Sequence, residues 1–376
     1  MTFNFGRDTS IRKEGSRIAI QVALFCCDKV IDKKLSNPTH CGLDMNLLDE
    51  SRLTLRLAFP LMIGQLSQML LGVADTVMVG HLGVTELAAL TFANSLFYVP
   101  FVFGIGLLTG VSVITSNSRG ANDPQEARST CRHGLYLSLG LGFLLFALGW
   151  LISMNLKMFG QPEAITERTT LFFQILMASL IPALASLALK NHADALNRPW
   201  PPFWIFLGGV GMNVLLNWIM IHGKFGCPAF GFEGAAWATL ISRIAILLGM
   251  IVWLSQVKAI KEWVPDRWFA AVDWPDFKRL ITIGFPASLQ MACEVSAFSV
   301  AGLMMGRFGP EAMAAHQIAI ALAGTAFMIP LGLSMALTVR IGEVDGANEP
   351  QRLRPIVISG WLLGISCALV SAMIFL

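Results

Sequence analysis

The sequence predicts an all-α, polytopic membrane protein of about nine transmembrane helices, built from a repeated unit. Three observations carry this reading: an apolar composition, a one-sided distribution of basic loops, and a self-match at a constant offset. Of 376 residues, 55% are hydrophobic and only 14% are charged, and the mean hydropathy is +0.64. Soluble domains carry roughly 25% charged residues, so a chain this long and this apolar could not cover itself in water. Its partner is the lipid bilayer. The net charge of +3 leaves no broad nucleic-acid footprint.

A spanning helix needs about 20 mainly apolar residues. The spans expected are 57–79, 87–116, 130–154, 170–190, 202–221, 233–257, 277–305, 311–340 and 356–376. The second and eighth are long enough to tilt or project. Loops on the side of the segment before span one hold fifteen Lys and Arg. The opposite loops hold four: Lys157, Arg168, Lys224 and Arg307. That bias places the N-terminus in the cytoplasm and the protein, multi-pass, in the inner (plasma) membrane.

Residues 1–50 stand outside this pattern and read as a disordered N-terminal extension. Ile18–Cys27 is apolar but too short to span, and the basic residues before it give only a faint secretory look. Met45 makes a natural alternative start to Met1, opening a short amphipathic lead-in, Asn46-Leu47-Leu48-Asp49-Glu50.

The repeat is the most informative feature. Pro60 pairs with Pro286, Gly80 with Gly306, Gly83 with Gly309, Gly106 with Gly332, and Ala88-Ala89 with Ala314-Ala315. The loop Gly120-Ala121-Asn122-Asp123-Pro124-Gln125 pairs with Gly346-Ala347-Asn348-Glu349-Pro350-Gln351. Every pair is 226 positions apart, without a gap. Six helices per unit keep both copies in one orientation, related by an axis along the membrane normal. The domains expected are a complete N-lobe, 51–260, with helices 1–6, and a partial C-lobe, 261–376, with helices 7–9. The offset predicts three further helices that this sequence does not contain, so it reads as C-terminally truncated.

Ionisable groups at bilayer depth are costly and mark ion or substrate pathways. Asp75 lies late in span one and Glu294 in span seven, each without a basic residue within a turn. Asn213 and Asn217 share a face of span five at i, i+4, and Thr239 lies early in span six. Helix directions put Asp75, Asn213, Asn217 and Thr239 in one outer layer. A carboxylate, two amides and a hydroxyl suit Na⁺, or a carboxylate that exchanges a proton. The plainer reading is interhelical hydrogen bonding with Asp75 capping a helix end. Arg243 is expected to pair with a carboxylate or to snorkel, and Asp194 to be a loop charge or helix-end pair. Met and Phe on the spans could line a cavity for apolar cations, although packing accounts for most of them. The seven Cys form no CxxC pair, and those after residue 50 read as packing residues. No nucleophile elbow, zinc motif or P-loop occurs, so neither catalytic residues nor a cofactor is expected.

Val73–Gly80, Asn213-Val214-Leu215-Leu216-Asn217-Trp218, Gly234–Thr239, Gly284-Phe285-Pro286, Glu294-Val295 and Ala314–Ala319 together resemble the multidrug and toxic compound extrusion (MATE) family, in its bacterial NorM-like branch. The resemblance runs from about Leu53 to Leu376. It implies a twelve-helix, two-lobe antiporter, monomeric at full length, that exports small organic cations in exchange for Na⁺ or H⁺. It implies cation-coupling roles for Asp75, Asn213, Asn217, Thr239 and Glu294, with Na⁺ held by Asp75, Asn213 and Asn217. The family's further acidic residue on helix ten has no counterpart in this sequence. Two other readings stand beside that one: a transport-inactive fragment of such an exporter, and a related lipid-linked glycan flippase. The flippase would want a cationic cavity, and intramembrane Lys and Arg are scarce.

Overall fold

The computed structural model describes residues 47–159, 162–226, 228–305 and 310–375. The extension before Leu47, Cys227 and the expected loop Gly306–Gly309 lie outside the described residues. Residues from Asn46 onward form one compact unit. Its helices are α1 (Leu47–Gly80), α2 (Val84–Gly120), α3 (Pro124–Ser153), α4 (Glu163–Ala178) and α5 (Leu180–Ala195). They continue with α6 (Trp200–His222), α7 (Phe232–Gln256), α8 (Trp274–Met305), α9 (Pro310–Gly346) and α10 (Pro350–Phe375). Nine helical spans among the described residues are long and apolar enough to cross a membrane. Residues 47–50, the expected lead-in, are helical and continuous with the first span.

Two helices make one span at α4 and α5, which together run from Ile165 to Ala195. The break has a local cause. Pro182 has no N–H to give to the carbonyl of Ala178, four residues back, and its ring crowds that carbonyl. The helix therefore stops at Ala178 and restarts after Ser179. Expected to end at Lys190, this span runs on to Ala195 and carries Lys190, Asn191, His192 and Asp194 on buried helix.

Turn chemistry repeats with the sequence. Asn122 and Asn348 both adopt the left-handed conformation, with φ of 55° and 56°, which Asn tolerates better than most residues. Asp123 then caps α3 by accepting from the amides of Gln125 (3.0 Å) and Glu126 (3.1 Å), ahead of Pro124 in the first turn.

The two copies of the repeat meet along α2, which packs against α8 and α9, and along α1 against α9. Glycines permit the approach. A Cβ on Gly106 would overlap the backbone of Ser288, and one on Gly332 would overlap Met62. Position 288 is 62 shifted by the repeat offset, and 332 is 106 shifted, so one contact is made twice. Gly120 against Glu343 and Gly346 against Asn117 form a second such pair. Gly342 and Ser116 are each other's equivalents and touch directly, so the pseudo-two-fold axis passes between them. Polar contacts obey the same operator. Arg119 pairs with Glu343 at 3.5 Å, and Asn117 donates to Asp345 at 3.0 Å.

These contacts cluster at the end of the bundle where α1, α3, α6, α8 and α10 begin, the basic end. There Glu50, fully buried, accepts from Arg340 and from Arg352 Nε (3.2 Å). Arg340 also donates to the Glu50 carbonyl and to Thr54 Oγ1, each at 2.7 Å. The start of α1 is thereby tied to α9 and α10 of the other copy. The start of α8 is tied in turn to α3, through Arg279 with Glu126 and Ser129 with Asp276.

Two outcomes follow from this packing. Gly284→Ala would drive a methyl into the backbone of Leu107, whereas Gly64 has open space around it. Thermal unfolding in detergent should show Gly284→Ala destabilised by about 1–3 kcal/mol, with Gly64→Ala near native. Glu50→Gln removes the carboxylate from a buried guanidinium, and its loss should cost about 3–5 kcal/mol in the same assay.

Candidate functional site

α1 and α6 run from the basic end to the far end, and α7 runs back. Asp75 sits five residues before the end of α1, Asn213 and Asn217 in the second half of α6, and Thr239 two turns into α7. All four therefore reach the same depth, in the far half of the first copy. α6 packs against both α1 and α7, which closes the triangle.

Their side chains form a continuous network. Asn217 Nδ2 donates to Asp75 Oδ1 at 2.6 Å and faces Asn213 Oδ1 at 3.2 Å. Asn213 Nδ2 donates to Thr239 Oγ1 at 3.3 Å. Thr239 Oγ1 lies 3.2 Å from Asp75 Oδ2 and 2.9 Å from the Ala235 carbonyl. Asn213 and Asn217 are fully buried, Thr239 is buried, and Asp75 is half-buried, so the carboxylate forms the accessible edge of the cluster.

The hydroxyl of Thr239 has one proton and two acceptors in reach. With Asp75 ionised, it donates to Oδ2. With Asp75 protonated, the carboxyl can donate to Oγ1 and the hydroxyl can turn to the Ala235 carbonyl. The network thus satisfies both protonation states without moving a helix. It also carries a spare acceptor: Asn217 Oδ1 is buried and has no hydrogen-bond partner. A buried amide oxygen without a donor is costly. Beside a carboxylate, two further oxygens and a hydroxyl, it is a ligand of the kind hard monovalent cations take.

Arg243 lies one turn along α7 from Thr239, on the same face. It does not reach the membrane surface. Its NH1 donates to Ser179 Oγ at 2.6 Å, at the break between α4 and α5. Its guanidinium carbon sits 4.9 Å from the ring centre of Phe97 and 5.7 Å from that of Phe101. Glu294, the other intramembrane acid, stands on α8 of the second copy with an exposed side chain and is no member of this network. The geometry thus joins four of the five expected residues and leaves the fifth apart.

A second buried polar group, near the basic end of α5, escaped the sequence reading. Lys190 Nζ bonds Asp194 Oδ2 at 2.7 Å, both side chains 5% exposed or less. Asp194 is therefore the helix-end pair of the two expected readings, not the loop charge. His192 is fully buried between Thr115 Oγ1 and the Trp263 carbonyl, each at 3.0 Å, and Asn191 donates to the Leu108 carbonyl at 2.9 Å. The available signal was the run Lys190-Asn191-His192-Ala193-Asp194 continuing an apolar helix instead of following it.

The MatE family profile matches residues 60–219 and 286–376. A protein named "Probable multidrug resistance protein NorM" from Bradyrhizobium diazoefficiens is 35% identical over 331 residues, 87% of this chain and 70% of that protein. "Multidrug resistance protein MdtK" from Yersinia pseudotuberculosis is 29% identical over 86% of this chain and 71% of its own length. Among solved structures, an outward-facing multidrug resistance MATE family transporter superposes with a TM-score of 0.77 at 23% identity. It covers 88% of this chain and 73% of that one. A eukaryotic MATE transporter gives 0.78 at 20% identity with the same coverage. At these identities the two structures speak to the fold alone. The profile covers two thirds of the chain and the curated relatives reach 35% identity, and on that ground this multi-pass membrane protein belongs to the MatE family, whose members are transporters and not enzymes.

Proposed function

We propose that this chain exports small organic cations across the cytoplasmic membrane in exchange for H⁺ or Na⁺, with Asp75 as the coupling carboxylate. One observation carries the reading: Asp75 is an intramembrane acid held by neutral donors, with an orphan amide oxygen beside it. An ionised carboxylate at that depth is expensive, so a cation or a proton is favoured there. The names of the curated relatives support a multidrug substrate range.

The two copies act as lobes, 51–260 and 261–376, that rock about the glycine crossing. In the described arrangement the closest approaches between them lie toward the basic end, which the loop charges assign to the cytoplasm. Rocking would open that end and close the far one, exposing Asp75 to each side in turn. Loading of Asp75 would then compete with the drug for the same negative charge. Glu294 serves as a second acid for the cationic drug or the coupling ion from the opposite lobe. The scarcity of free basic side chains inside the spans favours a cationic cargo over a glycan pyrophosphate: Lys190 is engaged by Asp194 and Arg243 by Ser179.

Ethidium efflux from cells under an imposed pH or Na⁺ gradient tests this. Asp75→Asn should reduce gradient-driven efflux to the leak rate, and Glu294→Gln should slow it. Gradient-driven efflux that survives both changes at the native rate would remove the coupling assignment.

A further inference from the structure

A second charged side chain, Arg243, stands in the interior of the first copy near the Asp75 network. Arg243 is a permanent cation at mid-depth, and no Asp or Glu lies within ion-pair distance of it among the described residues. It does not extend to the surface, as a snorkelling side chain would. Instead the fold builds a neutral seat for it: the buried Ser179 hydroxyl, which donates to the Leu176 carbonyl and accepts from Arg243, and the stacked faces of Phe97 and Phe101, whose ring centres lie 5.4 Å apart. Ser179 is presented at the break between α4 and α5, three residues before Pro182. Arg243 follows Thr239 by four residues on α7, one turn toward the basic end. Thr239, which touches Asp75 Oδ2 at 3.2 Å, sets this helix face beside the carboxylate, and Arg243 is one turn further along it. The other side chains that face the carboxylate, Asn213, Asn217 and Thr239, are neutral.

We propose that Arg243 is a positioning charge for the Asp75 site, keeping it electrically balanced when unloaded and holding its cation affinity low enough for release. The physics is simple. A carboxylate alone in the membrane interior would bind any cation tightly and keep it. A fixed positive charge a turn away stabilises the ionised carboxylate and weakens the binding of each further cation, proton or Na⁺ alike. The seat on Ser179 and the two rings keeps the guanidinium near enough to act and too far to form a permanent ion pair that would silence the site. This inference rests on Asp75 being the coupling carboxylate.

The test uses the full chain, purified and reconstituted, with radioactive Na⁺ as the binding probe and ethidium efflux measured over a pH series. Arg243→Gln removes the charge but keeps a donor for Ser179. It should tighten Na⁺ binding about tenfold or, where protons load the site, carry the alkaline limb of the efflux profile upward by the same factor in proton concentration. Maximal efflux should fall while half-saturating ethidium changes little, because release of the coupling ion slows. Arg243→Lys keeps the charge and should match the native protein in both readouts. Ser179→Ala reads the same interaction with the opposite sign: the guanidinium loses its seat, relaxes toward Asp75, and cation binding weakens. It serves as the second probe if Arg243→Gln does not fold. Native affinity and a native pH profile in the variant or variants that fold would overturn the proposal. Asp75→Asn, run alongside, separates the two ideas. If it leaves binding and efflux intact, the coupling assignment fails and this inference with it. If it abolishes both while Arg243→Gln is silent, only this inference fails.

Discussion

Backbone-to-backbone approach between α2 and the pair α8 and α9 is the constraint on which the rest of the molecule depends. Helices in lipid gain nothing from hiding apolar surface, because lipid is as apolar as leucine. They associate through close packing, and small residues make that packing close. Here the small residues stand at equivalent positions in both copies, Gly106 with Gly332 and Gly120 with Gly346, and each meets the other copy's backbone. Duplication makes such an interface economical. A surface that fits itself needs one set of small residues, used twice about an axis, and the contact between Ser116 and Gly342 marks where that axis runs.

That crossing leaves the charged groups with a defined task. At the basic end they bridge the copies: Glu50 with Arg340 and Arg352, Arg279 with Glu126, Arg119 with Glu343. Of these, Glu50 with Arg340 is buried; such a pair contributes little net stability against well-packed apolar groups, but breaking it by removing a partner is costly. They therefore specify which way the joint fits more than they stabilise it. The repeat has not kept their chemistry. Glu126 and Arg352 are equivalent positions of opposite charge, so the two sides of the joint are bridged by different pairings.

Much of this was legible in the sequence, and the reasons differ by element. The spans and their alternation followed from hydropathy, because lipid imposes an apolar length on every segment independently. The four-residue polar layer followed from helix direction alone: once α1 and α6 run one way and α7 the other, Asp75, Asn213, Asn217 and Thr239 have to share a depth. The buried role of Glu50 did not follow. A Glu in a polar lead-in reads as a surface charge, and only the arrival of α9 and α10, almost 300 residues later, encloses it. For Asp194 the helix-end pair was legible, with Lys190 one turn back, but the burial of that pair was not. Periodicity locates a residue along its own helix; it carries no information about which distant helix will cover it.

The break at Ser179 joins these strands. Proline at position 182 costs α5 a hydrogen bond, a loss that an isolated membrane helix would have to bear with an unpaired carbonyl. In this fold the irregular turn brings Ser179 into a buried position where its hydroxyl donates to the Leu176 carbonyl at 2.6 Å and accepts from Arg243. A local defect in one helix thereby becomes the anchor for a cation carried by another. The same cation lies within electrostatic reach of the carboxylate on a third. The polar interior of the first copy is thus not a set of separate hydrogen bonds. Contacts run from Ser179 at the break to Arg243, along α7 to Thr239, and from Thr239 to Asp75 on α1.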